Sequence, residues 1–566
     1  MKTIPLSLAL LLTAASAQAV PVEKPNVLFI SMDDLNDWVG CLGGHPQTLT
    51  PHLDRLAQSG TLFTNAHCAA PQCNPSRTAI FTGIPPFRSG VYHNGQKMRD
   101  VLPEAEIIPR YFSRQGYWSA GSGKLLHYFI DTASWDDYFP AKEKENPFPP
   151  TYDPPHRPVS LPVGGPWQYV ETDWAALDVS DEDYGGDWSV TQWIGEQLQR
   201  PHDQPFFLAC GIYRPHEPWF VPERYFRPFP LDSIQPGPGC LENDLDDLPP
   251  SGQKMGPNRY FAHIRQQGQW KQAIQAYLAS IHYADAMLGR VLDALENGPN
   301  RDKTIVVLWS DHGWHLGEKQ HWQKFTGWRI CTRVPLIIRL PSGMPGSEPG
   351  QVCDQPVCLT DLFHTLTDLC ELPAPENISA HSLVPLLKNP DAPWPHAAVT
   401  QLSAPDEYAI STRSRRYIHY RNGDEELYDI ATDPHEWTNL AAQPEQAAQL
   451  AQMRQLAPSN PVPLPQVPVA SLPALPWHPA TEPTPASKPD GNTFDVVFIN
   501  QRAHPVELLW LSPSGSTHSY SLIPAQQRQR QSSRPGAVWL IRDASENLLG
   551  HFQIGDRSCK AIVPAP

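Results

Sequence analysis

Cysteine is scarce in this 566-residue chain: there are ten, and no two stand in a C-x-x-C spacing. That excludes a disulfide-built scaffold and argues against a structural zinc site, leaving Cys353 and Cys358 as the one candidate local disulfide. Long apolar runs are lacking too. Beyond the first twenty residues none approaches the ~20 residues a membrane-crossing helix needs, so no span is expected. Basic residues are outnumbered, 43 Lys and Arg against 59 Asp and Glu, for a formal net charge of -16. Such a balance excludes a broadly basic, nucleic-acid-binding surface, and an anionic ligand would need a local basic pocket. Proline, by contrast, is abundant, at 64 residues.

The N-terminus places Lys2 before an apolar run from Ile4 to Ala15 and then Ala17-Gln18-Ala19. These are the three parts of a secretory leader, with cleavage expected after Ala19 and a periplasmic or extracellular destination. The length exceeds what a single core organises. From residue 25 to about 340, short apolar runs such as Val27-Leu28-Phe29-Ile30, Phe206-Phe207-Leu208-Ala209 and Ile305-Val306-Val307-Leu308 alternate with helical patterns. This alternation predicts an α/β fold with a mostly parallel sheet, whose ligands bind at the C-terminal strand ends. Trp270 to Glu296 has helical spacing and reads as a core helix. Between Tyr408 and Leu440, two short runs flanking Asn422-Gly423 predict a hairpin in a small α+β subdomain. Proline recurs from Pro458 to Pro489, marking an extended linker or tether, and the segment after it reads as a separate all-β sandwich. The expected division is 1–19 leader, 20–400 main domain, 401–457 subdomain, 458–490 linker and 491–566 β module.

Asp33 and Asp34 follow a predicted strand directly, and adjacent carboxylates at a buried edge repel unless a cation or proton relieves them. A helix cap or turn would also account for the pair. Asp311-His312-Gly313 follows a second strand and could bring ligands to the same cation. Between them, Cys73-Asn74-Pro75-Ser76-Arg77 reads as a helix start, from whose first turn Arg77 can reach back toward Cys73. An inert buried thiol is the plain alternative.

Together these motifs resemble the formylglycine-dependent sulfatases, whose C-x-P-S-R consensus directs oxidation of the cysteine to an aldehyde. The resemblance continues through Thr82-Gly83, Gly123-Lys124-Leu125-Leu126-His127, Arg214-Pro215-His216, Leu316-Gly317-Glu318, Trp322-Gln323-Lys324, Arg333-Val334-Pro335-Leu336 and Leu427-Tyr428-Asp429. The spacing of Lys124 to His127, and His312 itself, are most similar to the iduronate-2-sulfatase branch. The resemblance implies an alkaline-phosphatase-like fold and one Ca2+ bound by Asp33, Asp34, Asp311, His312 and the modified Cys73. It further implies a hydrated formylglycine as nucleophile, assisted by Arg77. Lys124, Lys324 and His216 would bind the sulfate, His216 would protonate the leaving oxygen, and His127 would be the base that regenerates the aldehyde. Glu318 is expected to orient Lys324 or its loop. The implied partners are a sulfated carbohydrate and a formylglycine-generating or maturase enzyme. Phosphate or phosphonate ester hydrolysis, or a binding role without catalysis, are the alternatives. Trp328 to Thr332 departs from the family in lacking acidic residues before Arg333.

The β module resembles the von Hippel-Lindau β domain through Val497-Phe498-Ile499-Asn500, Trp510, Tyr520, Ser533 and Trp539-Leu540-Ile541-Arg542-Asp543. That implies a protein or peptide ligand, although Ala537 stands where that family carries its hydroxyl-binding histidine.

Overall fold

A computed structural model describes residues 24–565 except 143–145, 153, 155–159, 162–171, 465–468, 490–493, 514 and 556–557. The expected leader lies outside the described residues. Eight strands make the central sheet, in the order Gln351–Cys353, Thr61–Phe63, Leu336–Arg339, Thr304–Ser310, Asn26–Met32, Phe206–Ile212, Trp118–Gly123 and Asp137–Phe139. Only Leu336–Arg339 runs antiparallel to its neighbours, so the sheet is mostly parallel.

The strand period of two sorts side chains between two cores. Leu28, Ile30 and Met32 enter one layer with Phe206, Leu208, Val306 and Leu308, while Val27, Phe29, Phe207, Ile305 and Val307 enter the other. The first layer is covered by the helix Trp270–Glu296, and the second by the helices Cys73–Thr82 and Leu362–Leu369. Each fully buried Val, Leu, Ile or Phe contributes roughly 1.5–3 kcal/mol, which explains why the central strands are apolar on both faces. Among the described residues, no helix is long and apolar enough to cross a membrane.

A four-stranded antiparallel sheet follows, Ala398–Gln401, Tyr408–Ser411, Arg415–His419 and Glu425–Asp429, and the last two form the expected hairpin. Its buried Glu426 accepts hydrogen bonds from Trp328 Nε1 (2.8 Å), Tyr420 Oη (2.6 Å) and Tyr428 Oη (2.6 Å). Glu436 accepts from the Arg329 main-chain N–H at 2.6 Å, and buried Arg416 donates to Gly327 O and Thr332 Oγ1. The acidic groups missing from Trp328 to Thr332 thus come from this second sheet, through Glu426, and from the loop after it, through Glu436. The proposed Cys353–Cys358 disulfide does not form: all ten cysteines are free, and these two lie on strands of different sheets.

The proline-rich segment is not a loose tether. Val462 N donates to Phe87 O (2.8 Å), Tyr92 Oη donates to Val462 O (2.5 Å), and His478–Pro479 adds a strand beside Leu548–Gln553. That strand joins Val538–Arg542, Val506–Leu511 and Thr517–Ile523 in a five-stranded sheet, packed on a three-stranded sheet of Arg528–Ser533, Phe494–Asn500 and Cys559–Val563. Val496, Phe498, Leu508, Trp510, Trp539, Ile541 and Phe552 fill the space between them.

Replacing Glu426 by Leu strands three buried donors, and the expected loss is about 3 kcal/mol of stability. Denaturant unfolding reads it directly, and an unchanged midpoint would show that the cluster does not hold the two sheets together.

Candidate active site

The C-terminal ends of the central strands deliver polar groups to one point. Asp33 and Asp34 follow Asn26–Met32, Lys124 follows Trp118–Gly123, and Asp311 and His312 follow Thr304–Ser310. Gly123 (φ 78°) and Gly211 allow the Lys124 chain to cross the neighbouring strand. A Cβ on Gly123 would lie 2.0 Å from Gly211 O, and one on Gly211 2.4 Å from Lys124 O. From the facing layer comes Cys73, the first residue of a wholly buried helix. Pro75 is tolerated in that first turn, where its missing N–H would have had no partner.

Around Cys73 Sγ stand Lys324 Nζ at 3.1 Å, His312 Nε2 at 3.3 Å and Lys124 Nζ at 3.7 Å, and His127 hydrogen-bonds it. Burial alone would raise the Cys73 thiol, but the ammonium groups of Lys124 and Lys324 outweigh it and hold it well below the usual thiol range. Lys324 also donates to Asp34 Oδ1 at 2.7 Å, and Lys124 pairs with Asp33 Oδ2. Burial lowers His127, leaving a neutral imidazole. His216 is moved the opposite way: burial disfavours its charge, yet Asp34 outweighs burial and raises it. Its Nε2 lies 3.6 Å from Asp34 Oδ2.

Arg77 is fully buried, with its guanidinium hydrogen-bonded to carboxylates and carbonyls at the strand ends. Its Nε donates to Asp311 Oδ2 (2.8 Å), Nη2 to Asp33 Oδ1 (3.1 Å), and Nη1 to the carbonyls of Lys124 (2.7 Å) and Leu125 (3.0 Å). It underpins the carboxylates, and Asp311, Asp33 and Cys73 together hold its charge. His312 Nδ1 donates to Gly313 O (3.0 Å), which turns Nε2 inward toward Cys73 Sγ.

Ligand atoms of Asp33, Asp34, Cys73 and His312 lie within 4.8 Å of one another, a group able to hold a metal ion. Asp34 Oδ2 is buried with no hydrogen-bond donor, as an oxygen reserved for a cation would be. Asp311 stands beside this group, its Oδ2 3.5 Å from His312 Nε2, with burial pushing its carboxyl up to about 7.

Backbone strain collects here as well. Asp34 (φ 60°), Gln323 (φ 79°) and Phe325 (φ 81°) all lie in the left-handed region, the last two flanking Lys324. Glu318 does not touch Lys324; its Oε2 accepts from Leu316 N at 2.7 Å and braces its own loop. His315 and His321 are core histidines; His315 lies against Glu318 O and Thr326 Oγ1, and His321 lies between the carbonyls of Met255 and Lys324, to one of which its neutral ring can donate.

Sequence reasoning missed Tyr213 and Glu217. Tyr213 Oη lies 2.9 Å from His216 Nδ1, and the Lys124 ammonium lies 5.3 Å from its ring centroid. Glu217 accepts from Thr172 (3.1 Å) and Gln323 (3.3 Å), supporting the Lys324 turn. Both flank the Arg214-Pro215-His216 motif, the only local signal for them.

The family model described as Sulfatase matches residues 25–372, and one described as N-sulphoglucosamine sulphohydrolase, C-terminal, matches 317–458. A protein named Sulfatase from Formosa agariphila is 38% identical over 438 residues, covering 74% of this chain and 83% of its own length. Human iduronate 2-sulfatase is 29% identical over 397 residues, covering 62% of this chain and 70% of its own. The phosphonate monoester hydrolase of Agrobacterium radiobacter superposes with a TM-score of 0.62 at 24% identity, covering 76% of this chain and 94% of its own, which shows a shared fold. With a family model spanning more than half of its length, this chain belongs to the sulfatase family and has its alkaline-phosphatase-like fold.

Proposed function

We propose that this protein hydrolyses sulfuric esters of a sugar, using a formylglycine made from Cys73 and one calcium ion. The convergence of two lysines and a histidine within 3.7 Å of a thiol at a buried helix N-terminus carries the reading. Asp33, Asp34, Asp311, His312 and the modified Cys73 would hold the ion. Calcium suits the mainly oxygen donor set, and the donorless Asp34 Oδ2 supports it. Bound there, the ion supplies Lewis-acid stabilisation of charge on oxygen. The aldehyde hydrate supplies a hydroxyl nucleophile with a geminal partner through which the aldehyde can be restored.

The chain's own side chains divide the remaining work. Lys124 and Lys324 neutralise sulfate oxygens placed above Cys73. His216, held by Tyr213 and raised by Asp34, carries a proton for the leaving oxygen. Neutral His127 accepts one beside residue 73. Arg77 fixes Asp33 and Asp311. Cys73 is fully buried, so a maturing enzyme must reach it before its helix packs.

Similarity to iduronate 2-sulfatase supports a 2-O-sulfated uronate or a comparable polysaccharide unit as substrate. Within the β module, Tyr520 is half exposed with its ring 4.8 Å from that of Trp539, whose Nε1 donates to Ser533 Oγ (2.7 Å). This supports a von Hippel-Lindau-like architecture. With buried Ala537 in place of the histidine, the reading stops short of hydroxyproline recognition.

Mass spectrometry of the Cys73 peptide from a host with a maturing enzyme should find the aldehyde, trapped by a hydrazine reagent. An unmodified thiol together with no sulfate release sinks the proposal, as does faster turnover of matched phosphate esters. Lys324→Ala should lower kcat by about 10²–10³-fold, roughly 3–4 kcal/mol, without changing the circular dichroism spectrum. For the metal, chelator-treated protein should gain about 2.7 kcal/mol of stability at a calcium concentration of ~100 times Kd. Asp34→Asn should lose that gain, and equal stabilisation of both proteins would remove Asp34 from the ligand set.

A further inference from the structure

The cleft beside Cys73, about 460 Å³ in volume, is lined in part by the turn 93–96, which Gln96 N closes by donating to His93 O (3.2 Å). We infer that His93, at the head of this turn, hydrogen-bonds a hydroxyl of the sugar whose ester faces residue 73, and so selects among sulfated sugars. This rests on the sulfatase reading and deepens it, adding recognition of the polyol to recognition of the ester.

Three observations carry the inference. First, the turn is mounted on the helix start that carries Cys73. Asn74 N donates to Asn94 Oδ1 (2.9 Å), and Asn74 Nδ2 donates to His93 O (3.2 Å) and Gln96 O (2.6 Å). From the other side of Cys73, Gln72 Oε1 accepts from Asn94 N (3.3 Å), while Gln96 Oε1 accepts from Tyr92 N (2.7 Å) and His93 N (3.1 Å). These bonds fix the backbone of His93 relative to residue 73, the preorganisation that a recognising group needs. Second, the ring is idle. His93 is only partly buried and lines the cleft, and among the described residues neither of its ring nitrogens has a hydrogen-bond partner. His216, His312, His315 and His321 each have one. Third, the ring suits a hydroxyl. Burial holds His93 below the usual histidine range, outweighing nearby Asp495. A neutral imidazole offers one donor and one acceptor, as a hydroxyl does. With the charged ester facing Lys124 and Lys324, the rest of the sugar is left to neutral polar groups of this kind.

The test uses the full chain from a host with a maturing enzyme, a panel of monosulfated uronates, hexosamines and galactoses, and 4-methylumbelliferyl sulfate as an ester without a sugar. His93→Ala should lower the ratio of sugar to aryl-ester kcat/KM by about tenfold, roughly what one neutral hydrogen bond is worth, through KM more than kcat. His93→Gln, which keeps a donor and an acceptor, should recover part of it. Among monodeoxy analogues of the preferred sugar, one should lose about tenfold with the parent and almost nothing further with His93→Ala, a coupling that a merely structural role would not produce. In a Cys73→Ala background, which binds without turnover, His93→Ala should weaken sugar binding by about the same factor in calorimetry. A ratio and a Kd both close to those of the parent overturn the inference, as do absence of binding by every sugar and equal losses by every analogue in both proteins. Sugar binding that depends on His93 in a matured protein releasing no sulfate would instead overturn the sulfatase reading and leave the His93 contact standing.

Discussion

The site depends on one buried charge balance. Asp33, Asp34 and Asp311 are almost wholly removed from water, as are Arg77, Lys124 and Lys324. An isolated charge at such depth costs several kcal/mol, so none of the six is tolerable alone. Arg77 is the keystone because it bonds two of the carboxylates at once, and the carbonyls of Lys124 and Leu125 besides. It therefore fixes the ends of three strands relative to one another. Three carboxylates and the Cys73 sulfur, whose conversion to an aldehyde would remove its charge, then meet three cationic side chains. A divalent cation added to that set leaves the pocket with excess positive charge, the condition for drawing an anionic ester into a chain that is acidic overall.

Such a cluster can form only where the backbone is made to converge, and the fold does this at some cost in strain. Gly123 and Gly211 permit a crossing that no side chain would allow. Asp34, Gln323 and Phe325 hold left-handed conformations that are disfavoured for residues bearing a Cβ. The surrounding sheets supply the compensation. Glu426, Glu436 and Arg416 clamp the segment after Lys324 through buried hydrogen bonds, so the strained turn is held from its C-terminal side by a different sheet and the loop that follows it.

Much of this was legible in the sequence. The central strands announce themselves by apolar runs, and Trp270–Glu296 by its helical period, because both patterns report burial directly. Residues with local motifs, Asp33, Cys73, Lys124 and Lys324, are recognisable by family resemblance. What could not be read were long-range partnerships. Nothing near Arg77 says that its guanidinium meets Asp311 from 234 positions away. The five-residue separation of Cys353 and Cys358 suggested a bridge, but strand assignment to separate sheets decided otherwise. A run of prolines signals extension, yet it says nothing of what the extended chain lies against.

That last gap matters for the surroundings of the site, because the cleft beside Cys73 is lined by residues from Gln72 to Arg534. Cys73 and Lys324 are separated in sequence from Asp495 and Ser532, which line the same cleft, by the subdomain sheet and the proline-rich segment. That lining is complete only when both units have docked. Free chain would have to pay the entropy of bringing such distant segments together for every molecule bound. The contacts of Val462, Leu475 and Lys488 meet that cost during folding instead. Proline serves this purpose well, since an extended chain with fixed φ loses little further freedom when it is laid along a surface. The abundance that first marked this segment as a spacer is thus compatible with a strap, whose described parts are hydrogen-bonded to the catalytic domain at Val462 and to the sandwich at Leu475 and Lys488.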